Sequence, residues 1–269
     1  MTARLFPALL KYWRGRHGLS QLDLALAAGL SARHLSFLET GRAQPSEEMV
    51  LRLMGTLALS LRDQNEVLRA AGFAPRFAEP GLEALPPEAD WAITRMLAQQ
   101  EPYPLAVLSA GHDIVRINHA GRRMLQAFVA DPARLPDRPN MVDLVFDPAL
   151  ARPFIANWAE LGRHMLSRLQ REALQSSGSA APARLLERAL SHPGVPAEWR
   201  RPDFSQELGS TLTLRLQRGD TALNFLTTIT TFSSPHLITL QELRIESYFP
   251  LDEATRAACE RLLTQETPP

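Results

Sequence analysis

The stretch LSQLDLALAAGLSARHLSFLETG, residues 19–41, has a pattern that predicts two short helices joined by a tight turn. The first helix is predicted over residues 21–28, and the second opens at Ser31 and ends at Gly41. Ser20 and Ser31 stand where a serine hydroxyl can accept a hydrogen bond from a free backbone N–H at a helix N-terminus. Gly41 stands where a helix C-terminus favours positive φ. A helix capped in this way, with short polar side chains in its first turns, suits insertion into the major groove of DNA.

A local positive charge surrounds this motif. The whole chain has 29 basic and 29 acidic residues, so it carries no net charge at pH 7 when histidine is neutral. Residues 1–42 contain six basic and two acidic side chains, which gives this region a net charge of +4. A basic N-terminal region balanced by a more acidic remainder is typical of a protein that binds nucleic acid with one end.

Length, cysteine content and hydropathy narrow the class of protein. At 269 residues the chain is long enough for two domains. Cys259 is the only cysteine, which excludes an intramolecular disulfide and zinc-finger spacing; we expect it to be a small apolar residue of a C-terminal helix. Arg4 and Pro7 interrupt the short N-terminal apolar run, which predicts no signal peptide. Because no run approaches the ~18 apolar residues of a membrane span, we expect a cytoplasmic protein.

Further helix signals extend the N-terminal region to five helices. Helices are predicted over residues 6–14, 46–57 and 60–71, and Gly72 stops the last one. Proline and glycine then crowd residues 74–87, a composition typical of a linker. The predicted boundaries are a five-helix domain at 1–73, a linker at 74–88, a second domain at 89–255 and a C-terminal helix or tail at 256–269.

The second domain mixes β and α patterns. Two strands are predicted around the turn AGHD, followed by helices over 119–129, 154–174 and 183–190. Three threonine-rich strands are predicted after them, over 210–217, 221–231 and 237–246. This order predicts an α+β domain with one five-stranded antiparallel sheet. On the last strand, Glu242, Arg244 and Glu246 are expected to share one exposed face.

About the first seventy residues resemble the lambda-repressor-like, Cro-type helix-turn-helix family, often called XRE-type regulators. The matching residues stand together in register, and they are Leu19-Ser20-Gln21, Leu24-Ala25, Gly29-Leu30-Ser31, Leu38-Glu39-Thr40-Gly41-Arg42 and Pro45. The resemblance implies a compact all-α domain that binds DNA.

The remainder, from about Trp91 to Thr255, resembles the MmyB-type ligand-binding domain, a PAS-like fold that accompanies such modules in bacterial regulators. The matching features are Pro102-Tyr103-Pro104, Asn118, Asn140, Asn157-Trp158, the run LQELRIE at residues 240–246 and Phe249-Pro250. The resemblance implies that a small apolar ligand, such as a fatty acid, lies between the sheet and its helices.

The helix-turn-helix resemblance implies particular contacts with DNA. Gln21 takes the place of a phosphate-binding glutamine, and Glu39 takes that of an acid that stabilises the domain internally, with a partner such as Arg14. The other implied DNA-binding residues are Ser31, Ala32, Arg33, His34, Ser36 and Phe37 on the second motif helix, and Arg14, Arg16 and Arg42 as phosphate contacts. Arg33 is the candidate for bidentate bonding to guanine. A contact to phosphate alone is the alternative, because most protein–DNA hydrogen bonds go to the backbone.

The second resemblance implies two kinds of ligand-binding residue. The apolar candidates for a pocket wall are Phe154, Trp158, Phe225, Ile229 and Leu240, and each of them could instead be ordinary core. The polar candidates for orienting a carboxylate head group are Asn118, Asn140, His164 and His236. For the asparagines the alternative is a turn-forming role in which the side chain bonds to the backbone.

No motif indicates an enzyme. The seven histidines show no metal-ligand spacing such as HExxH, and no GxSxG, P-loop or GxGxxG sequence occurs. We therefore expect no catalysis, no metal and no cofactor, with a bound fatty acid acting as an effector.

The favoured function is a transcription regulator that binds a double-stranded operator as a homodimer and changes its affinity for DNA with a small apolar effector. Two modules would bind a pseudo-palindrome whose half-sites lie one helical turn apart. Candidate dimer contacts are the helix around Trp91 and the C-terminal helix around residues 253–264. The alternative is a DNA-binding regulator whose second domain only dimerises or docks a partner protein, without a small ligand.

Overall fold

The computed structural model describes residues 5–175, 181–201, 212–233 and 235–264. By contacts the chain divides into two compact units, Met1–Ala84 with Phe232–Gln241, and Leu85–Thr231 with Glu242–Pro269. The predicted domain boundaries stay predictions, and the contact-based units differ from them in two places. The first unit takes in most of the segment predicted as a linker, and it also includes a short segment from late in the chain.

The first unit is built around five helices, as the sequence predicts. They are α1 (Leu5–Arg16), α2 (Gln21–Ala27), α3 (Ala32–Glu39), α4 (Glu47–Thr56) and α5 (Leu61–Ala70). Four of them begin after a serine whose hydroxyl accepts a backbone N–H of the first turn, namely Ser20, Ser31, Ser46 and Ser60. Such a cap contributes about 1 kcal/mol, so local chemistry fixes where these helices start.

Apolar side chains spaced at helical intervals meet in the core of the first unit. The fully buried ones include Leu10, Leu24, Leu35, Leu38, Leu53 and Leu68. Gly41 follows α3 with φ of +71°, a left-handed conformation that glycine adopts without strain. The chain can therefore turn sharply away at the end of the second motif helix.

Among the described residues, the second unit contains most of the other helices and all five strands. Its helices are α6 (Pro87–Gln99), α7 (His119–Ala127), α8 (Met141–Phe146), α9 (Trp158–Gln175), α10 (Ala181–Ser191) and α12 (Glu253–Thr264). Its strands are β1 (Leu105–Leu108), β2 (Ile114–Ile117), β3 (Leu212–Arg218), β4 (Thr221–Thr230) and β5 (Arg244–Pro250). Between β4 and β5 lies α11 (Ile238–Glu242). The predicted start of the third strand, at residues 210–211, lies outside the described residues.

The five strands form one antiparallel sheet in the order β2-β1-β5-β4-β3, which confirms the predicted α+β class. The central strand β5 pairs with β1 through Val107 and Ile245, and with β4 through Thr227 and Tyr248. This central strand also contacts α9, because Glu246 on β5 lies close to Arg168 on α9.

The prediction of a strand over residues 237–246 is wrong in its first half. Residues Ile238–Glu242 form the helix α11, and the strand runs from Arg244 to Pro250. A short apolar run is compatible with either a strand or a helical turn, and here contacts with residues far away in sequence decide. The Ile238 N–H donates to the Ala78 carbonyl at 2.9 Å.

The expected exposed face of Glu242, Arg244 and Glu246 is also wrong. Glu242 lies on α11, whereas Glu246 lies on β5 and is only 5% exposed. Four consecutive residues of β5, Ile245 to Tyr248, are buried. A strand that is covered on both faces has no exposed side on which a ladder of charges could lie.

Candidate DNA-binding helix and ligand cavity

The second motif helix, α3, presents its first turns outward. Ser31 caps it, and the serine hydroxyl accepts from the His34 N–H at 3.1 Å. Arg33 is exposed, and its guanidinium carbon lies 5.3 Å from the centre of the Phe37 ring. The predicted residues Ala32, His34, Ser36 and Phe37 are half-buried. The first turn of the helix therefore presents one exposed arginine beside an aromatic ring.

Glu39 at the end of α3 holds the helix against its neighbours. Its carboxylate accepts from Arg14 Nε at 2.6 Å and Nη2 at 3.0 Å, and from Gln21 Nε2 at 2.7 Å. Burial opposes the ionisation of Glu39, but these donors outweigh it and lower the pKa of the carboxyl. The prediction that Glu39 is internal, with Arg14 as its partner, is confirmed.

The same network engages two residues with a predicted contact to phosphate, Arg14 fully and Gln21 through its Nε2. The third guanidinium nitrogen of Arg14 donates to the Leu19 carbonyl at 2.7 Å, so all three nitrogens are engaged inside the unit. This arrangement favours a structural role for Arg14 over the predicted contact with phosphate. Arg16 and Arg42 are exposed, and Arg16 donates to the Tyr12 hydroxyl at 2.8 Å.

The two predicted ligand-binding asparagines are engaged with the backbone. Asn118 Oδ1 accepts from the Leu105 N–H at 3.0 Å and the Gly121 N–H at 2.9 Å, and its Nδ2 donates to the Tyr103 carbonyl at 2.8 Å. It caps α7 and is 5% exposed. The structure therefore gives Asn118 the alternative, turn-forming role.

Asn140 has a similar position at the start of α8. Its Oδ1 accepts from the Val142 N–H at 3.0 Å, and its Nδ2 donates to the Gly111 carbonyl at 2.7 Å and to Asp113 Oδ1 at 2.8 Å. Asn140 therefore also has the alternative, structural role: its side chain links α8 to the turn between β1 and β2.

The other predicted ligand-binding residues are scattered. Phe225 is fully buried against Tyr248, Phe154 packs on Phe128, and Trp158 lies 5.0 Å from Trp199 between ring centres. Ile229 is 41% exposed, His236 is exposed, and His236 and Leu240 both belong to the first unit. For Phe154, Trp158 and Phe225 the structure supports the alternative of ordinary core.

A cavity of about 60 Å³ lies between α8, α9 and the inner face of the sheet. Its apolar wall consists of Met141, Val145, Leu161, Met165, Leu212 and Leu214. Its polar wall consists of His164, Arg168, Thr227, Glu246 and Tyr248. Of the predicted ligand-binding residues, His164 alone is among those described as lining it.

Arg168 marks the polar end of the cavity. Its Nη1 lies 3.7 Å from Glu246 Oε1 and its Nε lies 3.9 Å from Glu172 Oε1, which is too far for a hydrogen bond, so the buried Nε has no hydrogen-bond partner among the described residues. Glu246 in turn accepts from the Tyr248 hydroxyl at 3.1 Å. Burial and the neighbouring Glu246 raise the pKa of Tyr248 well above its ordinary value, so the hydroxyl remains a donor. A buried donor without a partner carries a free-energy cost that a ligand oxygen would remove.

A cluster of charged residues continues from Arg168 toward the start of β5. The buried His112 ring lies between two arginines, with Nδ1 at 3.3 Å from Arg168 Nη2 and Nε2 at 3.0 Å from Arg244 Nη1. Arg244 also donates to Glu172 Oε1 at 2.8 Å. Burial lowers the pKa of His112 and outweighs the opposing effect of Glu172, whose Oε2 lies 3.6 Å from Nε2, and both arginines add to the lowering, so the ring is neutral at pH 7. A neutral imidazole has one acceptor nitrogen, so it can accept from only one arginine at a time.

Sequence reasoning missed this cluster, although its residues carry a signal. Arg168 and Glu172 are four apart on α9, and Arg244 and Glu246 alternate on β5, so each pair shares one face of its element. His112 has φ of +62° in the turn between β1 and β2, an uncommon conformation for a residue other than glycine. The turn brings the ring inward, which the sequence alone does not indicate.

The described residues lack two features that would indicate another class of protein. No group of three or more His, Cys, Asp or Glu residues there could hold a metal ion. No helix there is both long and apolar enough to span a membrane. Cys259 is buried on α12, and burial raises the pKa of its thiol to about 11, as expected for a small apolar residue.

The helix-turn-helix unit and the α+β unit each match a family model. The family described as "MmyB-like transcription regulator ligand binding domain" matches residues 89–262, and the helix-turn-helix family matches residues 10–64. The chain therefore belongs to the MmyB-like transcription regulators.

The chain is also similar to a solved structure, at low sequence identity. A solved structure described as "Structure of an RNA-binding Light-Oxygen-Voltage Receptor" is similar with a TM-score of 0.29 and 14% identity. The alignment covers 94% of this chain and 63% of that one, so the chain spans less than two thirds of its length. No curated protein matches the chain significantly.

Proposed function

We propose that this protein is a cytoplasmic regulator that binds a double-stranded operator as a homodimer and whose affinity for that operator depends on a small apolar effector. It acts by binding and not by catalysis, and it needs no metal or cofactor. The observation that carries the effector part is the largely apolar cavity lined at its polar wall by Arg168, whose buried Nε has no hydrogen-bond partner among the described residues.

The DNA-binding part rests on α3 and its surroundings. Arg33 reads a guanine, while Gln21, Arg16 and Arg42 contact phosphates, and the remaining predicted side chains of α3 lie along the groove. Arg14 is left out of this surface because its three nitrogens bond within the unit. One module covers a half-site, so two copies bind half-sites about 34 Å apart.

The effector is an apolar molecule with an oxygen acceptor at one end, and a fatty acid has this chemistry. Its oxygen would accept from Arg168, beside Glu246 and Tyr248, while its chain lies along the apolar wall. Pockets for small ligands usually measure about 300–1,000 Å³, so the present 60 Å³ must expand when a fatty acid enters. Met141 and Met165 line it, and unbranched methionine side chains adapt to such changes.

Mass spectrometry of small molecules extracted from the purified, denatured protein tests the effector. The expected result is a fatty acid or similar lipid in a molar ratio near one, together with a marked loss from Arg168→Gln. Arg95→Gln, on the exposed side of α6, is the matched control and should keep the lipid. An empty extract from the wild type, combined with no binding of added dodecanoate, would contradict the effector proposal.

A second candidate function is favoured by the small volume of the cavity. In this case the second unit holds no ligand and serves only for dimerisation or for docking a partner protein. The same extraction distinguishes the two, because a regulator of this kind would bind its operator as a dimer yet give an empty extract and ignore added lipid.

A further inference from the structure

The segment Phe232–Gln241 follows β4 and precedes β5 in the chain, yet by its contacts it belongs to the first unit. The Ile238 N–H donates to the Ala78 carbonyl at 2.9 Å, and Ala78 also forms a parallel bridge with Leu237. Ile238 is 3% exposed. Backbone pairing with Ala78 and the buried side chain of Ile238 therefore hold the segment against the chain that follows α5.

The same segment caps α5. Gln241 Oε1 accepts from the N–H of Leu61 at 2.8 Å, and Leu61 is the first residue of α5. The first N–H groups of a helix have no partner within the helix, so this bond satisfies a donor that would otherwise be free. A side chain 180 positions later in the sequence thus holds the start of α5.

The helix α5 is connected to the recognition helix through one intermediate helix. It packs on α1, and α1 packs on α3. The ion pair between Arg14 on α1 and Glu39 on α3 fixes the second of these contacts. A displacement at Leu61 can therefore reach α3 through packed helices and one ion pair.

The C-terminal end of the segment is followed in the chain by β5, which contributes Glu246 and Tyr248 to the wall of the cavity. Arg244, the first residue of β5, stands three positions after Gln241, and three residues span at most about 10 Å. Arg244 donates to Glu172 and contacts His112, whose other ring nitrogen lies against Arg168 at the end of the cavity. Because the neutral ring has one acceptor nitrogen, it accepts a hydrogen bond from Arg168 or from Arg244 but not from both at once.

We propose that residues 237–241 are the coupling element of this regulator: a ligand at Arg168 shifts Arg244 through His112, and Gln241 transmits the shift to the start of α5. The inference rests on the proposed function and specifies how the cavity controls DNA binding. The arrangement of two parts would differ between the ligand-free and the ligand-bound protein: the contacts around His112, and the hydrogen bond from the Leu61 N–H to Gln241.

A double-mutant cycle on the full-length protein tests the coupling without any knowledge of the ligand. The DNA is a fragment selected by the wild type from a random library. We expect Arg168→Gln to change the Kd for this DNA by about fivefold or more, the lower end of common allosteric couplings. In the Gln241→Ala background the same change should alter the Kd by less than about twofold. Gln99→Ala, at the exposed end of α6, is the control background and should leave the first effect intact.

The other outcomes are separable. If the wild type selects no DNA, the proposed function fails and the coupling with it. If DNA is selected but Arg168→Gln changes the Kd equally in the two backgrounds, or in neither, the coupling alone is overturned.

Hydrogen exchange covers the case in which a variant does not fold. In the wild-type protein with bound dodecanoate, the Leu61 amide should exchange at a rate different by about fivefold or more from the free protein. The Glu47 amide, which has the same position at the start of α4, should not change. An unchanged Leu61 amide in the dodecanoate-bound protein would overturn the proposal.

Discussion

Arg14 and Glu39 form a two-pronged ion pair that joins α1 to the end of the recognition helix, with nitrogen–oxygen distances of 2.6 and 3.0 Å. Gln21 at the start of α2 donates to the same carboxylate. Three helices of the DNA-binding unit therefore share one anion that is only 8% exposed. The position of α3 against α1 and α2 depends on this anion.

Removing Arg14 should destabilise the protein strongly. Arg14→Ala leaves the buried Glu39 carboxylate without its main partner, and the loss of one partner of a buried pair costs about 3–5 kcal/mol. Urea unfolding measures this loss. The control is Arg52→Ala, which removes an exposed pair with Glu48 and should cost less than about 0.5 kcal/mol. Equal effects for the two variants would mean that the Arg14 pair contributes no more than a surface pair.

The contribution of Glu39 should depend on pH. Its pKa is lower in the folded protein than the ordinary value of 4.5, so its charge stabilises the folded state above that value. This contribution is lost as the pH falls through the lowered folded pKa. The difference in unfolding free energy between wild type and Glu39→Gln should therefore be largest near neutral pH and shrink below pH 4.5. A difference that stays constant down to the acid limit of folding would argue against an ionised Glu39.

Arg33 should determine one base of the operator. Arg33→Ala is expected to lose about 1–3 kcal/mol of discrimination at a single position while non-specific binding is kept. Operator variants changed one base pair at a time measure this effect, with Arg95→Ala as the exposed-arginine control. A uniform loss at all positions, with a shallower dependence on salt, would instead identify Arg33 as a phosphate contact.

Asn118 should matter for stability and not for ligand binding. Asn118→Ala removes the cap of α7 and leaves the buried N–H of Leu105 and the carbonyl of Tyr103 without a partner, which should cost about 2–4 kcal/mol. Chemical unfolding gives the cost, and the lipid content of the folded fraction should equal that of the wild type. A stable variant that purifies without lipid would restore Asn118 to the ligand site.

The helix-turn-helix unit could be predicted closely because its signals are local. Serine caps, a glycine with positive φ and apolar residues at helical spacing each act within a few residues, so they are readable in the sequence. The antiparallel sheet was predictable for a similar reason, from alternating strand patterns and short turns.

The elements that the sequence did not reveal depend on distant contacts. The helix α11 replaces half of a predicted strand because Ile238 and Gln241 bond to residues about 160–180 positions earlier. The charged cluster beside the cavity brings together His112 from a turn, Arg168 from a long helix and Glu246 from a strand that is buried on both faces. Without alternation on that strand, nothing in the sequence indicates that Glu246 points inward.

The affinity of the protein for its operator, with and without an effector, tests the central claim most directly. The Kd of the lipid-stripped wild type for its selected operator is measured before and after saturation with dodecanoate, beside Arg168→Gln. We expect dodecanoate to change the wild-type Kd by about fivefold or more and to leave that of the variant unchanged. Equal wild-type values in the two conditions, with dodecanoate bound, would contradict it.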